Sequence, residues 1–207
     1  MPVHEKVSAR EKILDAAAQI MRERGLARAT TKEIARAAGY SEALLYKHFA
    51  DKQEIYLGVL HERIGGLSGA SALVGTATVQ QNAIELVRRL MAFYVKSFPM
   101  SASIFSDRDL LASWRASMSA KGGGPRSPVK MLRSYLEGER DAGRIPSTID
   151  PDAVAALLCG AAFQAAFLAC FEGRDAVQGE RALATALVGA TLGTAPPAEG
   201  SALSPRS

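Results

Sequence analysis

The sequence predicts an all-α protein with a compact amino-terminal helical domain and a longer helical region behind it. Three observations predict that class. Ser8 precedes Glu11, Thr30 precedes Glu33 and Asp51 precedes Glu54, each by three residues. That is the spacing at which a side-chain oxygen and a carboxylate satisfy the free amides of a helix start. Apolar residues recur at helical spacing throughout, and strand-like alternation is never sustained. The composition is that of a globular chain: 48% of the 207 residues are apolar and 22% charged, enough apolar content for a sizeable core.

The elements follow in order. A first helix carries Ile13, Leu14, Ala17, Ile20 and Met21 on one stripe and ends at Gly25. A second, shorter helix places Ile34, Ala35 and Ala38 inward and stops at Gly39; a third does the same with Leu44, Leu45 and Phe49. From Lys52 a fourth carries Ile55, Val59, Leu60 and Ile64 to a break at Gly65-Gly66. After a small-residue stretch, Thr78 and Gln81 cap a helix through Ile84, Val87, Leu90 and Met91 to Phe98, where Pro99 should close it. The next helix is expected over Ile104 to Met118, followed by a loop at 122–125. Ser127-Pro128 and Asp150-Pro151 each read as an N-cap with a first-turn proline. A last helix is expected from Asp175 to Leu192, and residues 196–207 as a disordered tail.

Charge alone nominates no partner. Residues 1–65 hold eleven Lys or Arg and nine Asp or Glu, and the remainder fourteen and twelve. Arg24 to Lys52 is mildly basic, with six cations and three anions. That bias fits a solvated face as well as a nucleic-acid contact. The first residues hold no apolar run, so no signal peptide is expected and a reducing cytoplasm is the simplest address. Cys159 and Cys170 lie eleven residues apart, about 16 Å along a helix, too far for a bridge within the chain.

The segment TTKEIARAAGYSEALLYKHF, Thr30 to Phe49, is the most informative. Two short helices flank a turn at Gly39, where a residue without a Cβ takes positive φ, and Ser41 caps the second. That is the layout of a helix-turn-helix, whose second helix lies in the DNA major groove. Arg10 to Val59 resembles the amino-terminal domain of the tetracycline-repressor (TetR) family of transcriptional regulators. The resemblance is carried by Ile13, Leu14, Ala16, Ala17, Gly25, Thr30, Thr31, Ile34, Ala35, Ala38, Gly39, Ser41, Leu45, Tyr46, His48, Phe49, Lys52 and Ile55. Met21, Tyr40, Glu42 and Ala43 depart from the common family choices.

The resemblance implies a three-helix DNA-binding domain over residues 8–68, with the motif at 31–50. It implies an effector-binding and dimerisation domain over 69–195. Thr31 and Lys32 are then expected at the DNA backbone, as are Tyr46, Lys47, His48 and Lys52. Ser41, Glu42, Ala43 and Leu44, on the leading turn of the recognition helix, are the candidates for base edges. Glu42 suits a helix start but not a nearby phosphate; it can accept from a cytosine amine instead. The resemblance further implies a homodimer formed through the last two helices, double-stranded operator DNA as partner, and a small-molecule effector. Repression of transcription is the expected role.

Val154 to Phe171 is apolar apart from Gln164, at the lower length limit for a membrane span. Its alanines and acidic flanks favour a helix buried in a bundle, so no membrane is expected. Small residues at 161, 165 and 169, and at 186, 190 and 193, allow close helix approach. Met91, Tyr94, Phe98, Phe105, Trp114, Met118, Tyr135, Phe163 and Phe167 are ordinary core candidates, and a few of them are candidates to line an effector pocket. An enzyme is disfavoured. The three histidines, His4, His48 and His61, lack metal-ligand spacing, and neither a nucleophile elbow nor a phosphate-cradling glycine loop occurs. No cofactor and no metal are expected. The cysteines read as small buried hydrophobes, with redox sensing as the alternative. The competing class for the whole chain is a helical scaffold that carries the motif without using it on DNA.

Overall fold

The computed structural model describes residues 8–64, 69–106, 108–120 and 124–193. Among them no strand occurs, and the architecture is helical with two domains. The expected tail at 196–207, the Gly65-Gly66 break and the first half of the 122–125 loop lie outside the described residues.

Helix α1 (Ala9–Arg28) opens on a reciprocal cap: Ser8 Oγ accepts from Glu11 N–H at 3.2 Å, and Ser8 N–H donates to Glu11 Oε2 at 2.8 Å. Gly25 interrupts it at φ 74°, ψ 161°, before one more turn. Helices α2 (Thr31–Ala37), α3 (Glu42–His48) and α4 (Lys52–Gly58) follow, with Thr30, Ser41 and Asp51 as side-chain caps. Helix α4 does not run on as one regular helix to Ile64. Val59–Arg63 widens into a π turn, closed by Ile64 N–H to the Val59 carbonyl at 3.0 Å. Both of those side chains reach the amino-terminal core.

That core joins Ile13, Leu14 and Met21 of α1 to Ile34, Leu45 and Phe49. It is completed from outside the domain by Met100, Ile104 and Trp114. These come from α5 (Val79–Ala102), a 3₁₀ turn (Ser103–Ser106) and α6 (Arg108–Ala120). The helix expected over Ile104 to Met118 is therefore two elements. Trp114 packs edge-on against Tyr56 of α4, ring centroids 5.3 Å apart. Burial pushes the Tyr56 hydroxyl up to about 12, with a hydrogen bond to Ser101 opposing.

Pro99 does not close α5, which continues through it to Ala102. A proline cannot donate to the carbonyl four residues back, and here that carbonyl, on Val95, accepts from the Cys170 thiol at 3.5 Å. The continuation also buries Met100 fully. Tertiary contacts thus outweigh the local stop signal.

The second core lies among α5, α7 (Ser127–Asp141), α8 (Pro151–Phe171) and α9 (Glu180–Leu192). Leu86, Leu90 and Met91 meet Leu132, Tyr135 and Leu136, and Leu158, Ala162 and Val188 close over them. Asp150 caps α8 as expected, accepting from Asp152 N–H at 2.9 Å. Ser127 is not a cap: α7 begins at Ser127 itself, with Pro128 in its first turn and no side-chain cap on Arg126. Helix α9 starts at Glu180 rather than Asp175, because Gly179 takes a left-handed conformation (φ 64°) just before it. Arg88 of α5 pairs with Glu180, tying α9 to the bundle.

Helix α8 is long and apolar enough by composition to cross a membrane. One side of it, Val154, Ala155, Leu158, Ala162 and Ala166, is packed inward. The other side presents Leu157, Phe163, Phe167, Leu168 and Phe171 to solvent. The small residues Ala161, Ala165 and Ala169 lie on the inner or flanking side, whereas Ala186, Ala190 and Gly193 of α9 are exposed.

Candidate nucleic-acid interface

The turn between α2 and α3 is set by backbone bonds. Tyr40 N–H reaches the Ala35 carbonyl at 2.9 Å and Gly39 N–H the Arg36 carbonyl at 3.1 Å. This double closure requires a left-handed residue past the helix end, and Gly39 supplies it at φ 79°. Ser41 Oγ then accepts from Leu44 N–H at 3.2 Å. The cap consumes an acceptor and leaves the Ser41 hydroxyl hydrogen available.

Leu45 and Phe49 anchor α3 in the core, and Arg10 lies over the Phe49 ring at 5.2 Å from its centroid. Ala43, Tyr46 and Lys47 share the outward side at helical spacing, exposed together with Ser41 and His48. Tyr46 keeps half of its surface accessible. Lys32 is exposed at the start of α2. Glu42, Leu44 and Thr31 are partly covered. Of the ten expected contact residues, six are thus exposed and Thr31, Glu42 and Leu44 partly so.

Lys52 is placed differently. Its Nζ donates to the Ala27 carbonyl at 3.4 Å, and burial lowers the lysine from its ordinary range. The free carbonyls at a helix end carry partial negative charge and attract a cation. The N–H of Ala27 donates to Ser103 Oγ at 3.1 Å, across the domain boundary. Ser103 packs into the space that a side chain at Gly25 would fill, its Oγ 2.8 Å from the ideal Cβ position. Of the other cations in this stretch, Arg24 pairs with Glu33 at 3.1 Å, while Arg28 and Arg36 are exposed.

Sequence reasoning missed one feature here. Thr31 Oγ1 donates to Glu42 Oε1 at 2.5 Å and lies 3.3 Å from the Tyr46 hydroxyl. Glu42 and Tyr46 are four apart on α3, a spacing that puts them on one side of the helix, but nothing local announces Thr31 as the bridge.

The aromatic and methionine residues considered for an effector pocket do not gather around one cavity among the described residues. Met91 and Tyr135 are fully buried in the second core. Trp114 and Met118 pack on the amino-terminal core, and Phe105 is largely exposed. Tyr94, Phe163, Phe98 and Phe167 form an edge-to-face ladder between α5 and α8, with centroids 5.3–5.6 Å apart. Tyr94 sits beside Cys159, whose thiol is pushed up to about 11 by burial against the opposing effect of the Tyr94 hydroxyl. Among the described residues no cluster of His, Cys, Asp and Glu is arranged to hold a metal ion.

Two short capped helices across a left-handed turn, with the second turned outward on a small trihelical core, define a helix-turn-helix DNA-binding protein. Residues 13–59 match the family model described as bacterial regulatory proteins, tetR family. Over those residues the chain is similar to the TetR family of regulators. It is 24% identical over 150 residues to the HTH-type transcriptional repressor AcnR of Corynebacterium efficiens, covering 65% of this chain and 79% of AcnR. It is 40% identical over 70 residues to the HTH-type transcriptional activator FasR of Mycolicibacterium smegmatis, where the match spans 33% of this chain and only 32% of FasR. Its fold is similar to that of FadR from Bacillus subtilis, solved in complex with stearoyl-CoA. There the TM-score is 0.61 at 16% identity, over 88% of this chain and 98% of FadR.

Proposed function

We propose that the protein is a transcriptional repressor that binds palindromic operator DNA as a homodimer and lets go when a small molecule binds its carboxy-terminal domain. The observation that carries the DNA reading is the outward side of α3, with Ala43, Tyr46 and Lys47 exposed on a core that holds Leu45 and Phe49. Ser41, Glu42, Ala43 and Leu44 would meet base edges; Thr31, Lys32, Tyr46, Lys47 and His48 would meet the backbone. Lys52 joins them once it leaves the Ala27 carbonyl. Residues 8–68 act as the reading head and 69–195 as the effector and dimer domain.

The exposed apolar side of α8 and the small-residue side of α9 support a homodimer packed through these two helices. Charge-free area of this kind on a bundle helix is an association surface. Two-fold symmetry then sets two copies of α3 about 34 Å apart, or a multiple of it, on one side of the duplex. The effector reading rests on the match of residues 13–59 to the family model and on the ligand present in FadR. Repression rather than activation is supported by the longer match to AcnR. Work on DNA puts the protein in the cytoplasm.

Selection of bound duplexes from a randomised pool by the purified protein tests the reading. Enrichment of an inverted repeat supports it. A pool that stays random while the protein remains folded refutes it and leaves the scaffold class.

A further inference from the structure

Thr31, Glu42 and Tyr46 form a hydrogen-bonded chain whose direction is fixed by counting hydrogens. The Thr31 hydroxyl spends its one hydrogen on Glu42 Oε1, 2.5 Å away. Toward the Tyr46 hydroxyl, 3.3 Å away, Thr31 Oγ1 is left only as an acceptor, so Tyr46 is the donor. Both hydroxyl hydrogens therefore run toward the carboxylate. A phosphate oxygen accepts and never donates. While the chain holds, Thr31 and Tyr46 have no hydrogen for a DNA backbone, and the Glu42 charge repels the phosphates around it.

We propose that Glu42 is a specificity-determining residue that couples base reading to the phosphate clasp. On arbitrary DNA its carboxylate keeps both hydroxyls and adds like-charge repulsion. Where the major groove offers a cytosine amine, that donor takes over the carboxylate. The chain then opens, and Thr31 and Tyr46 turn their hydrogens to phosphate. Reading one base is thereby multiplied into two backbone contacts. The inference rests on the DNA-binding reading and names the residue on which its selectivity turns.

The test uses full-length wild type, Glu42→Ala, Tyr46→Phe and the double variant. Each is titrated, at one salt concentration, with the duplex that wild type enriches from a randomised pool and with a scrambled duplex. Glu42→Ala is expected to bind the scrambled duplex about tenfold more tightly and to lose most of the preference between the two. Tyr46→Phe is expected to weaken binding to the enriched duplex by about tenfold and to the scrambled one by much less. In the Glu42→Ala background, Tyr46→Phe weakens binding to both. Replacing the read cytosine by thymine, which presents an acceptor in place of the amine, weakens wild type but not Glu42→Ala. Thermal unfolding checks that each variant is folded. If folded Glu42→Ala fails to tighten on scrambled DNA, or Tyr46→Phe in wild type costs the same on both duplexes, the coupling is overturned while the DNA reading stands. If wild type enriches no duplex, the DNA reading falls and takes this inference with it.

Discussion

The two halves of the molecule dispose of their apolar surface in opposite ways. In the amino-terminal domain, large apolar side chains are turned in and the exposed side of α3 is mainly polar, Tyr46 being the one large exposed ring. In the carboxy-terminal bundle, α8 carries Leu157, Phe163, Phe167, Leu168 and Phe171 outward, with Phe171 81% exposed. The first half is finished as a single copy. The second leaves an apolar side of α8 uncovered, and a second copy of the same helices is the occupant we propose.

The sharpest way to break that contrast is a charge on α8. Phe163→Glu is expected to leave each chain folded but to turn the dimer into a monomer in sedimentation. Operator affinity should drop by roughly a hundredfold or more, because two linked heads become one. The same assay run on Leu45→Ala acts on the other half. Emptying that fully buried site should cost about 3 kcal/mol and lower the melting temperature with no change in association state.

Smaller effects sharpen the comparison within the reading head. Gly39→Ala is expected to cost about 1 kcal/mol in denaturant unfolding; space for a Cβ is open there, so the cost is that of positive φ alone. The smallest effect is a pH dependence. Hydrogen bonds from the Thr30 hydroxyl and backbone hold the Glu33 carboxyl below its ordinary range. Such a group adds stability above its unfolded-state pKa, and loses it as pH falls through the lower, folded-state value. Thr30→Ala should therefore lower stability at neutral pH and flatten the acid side of the melting-temperature profile between about pH 6 and pH 3.

The reading head was legible because its instructions are local. Thr30 with Glu33, the glycine at 39 and the serine at 41 each act within four residues, and the spacing of Leu45 and Phe49 names the buried side. What escaped was set by distant partners. Lys52 turns back to Ala27, 25 residues away, and Thr31 finds Glu42 eleven residues on. In the second half, Pro99 was misread as a stop because the thiol that serves the Val95 carbonyl comes from 75 residues downstream. The aromatic residues shared a composition, not a place. Side-chain chemistry suggested one pocket, and packing divided them among two cores and a surface ladder.

The backbone of one residue is gripped from both halves: the Ala27 N–H by Ser103, and the Ala27 carbonyl by Lys52. Its amide proton is therefore a natural gauge of whether the bundle is seated on the head. Solvent deuterium should enter there slowly while the seat holds and faster whenever it lifts, so a single resonance can follow a movement spanning the whole chain.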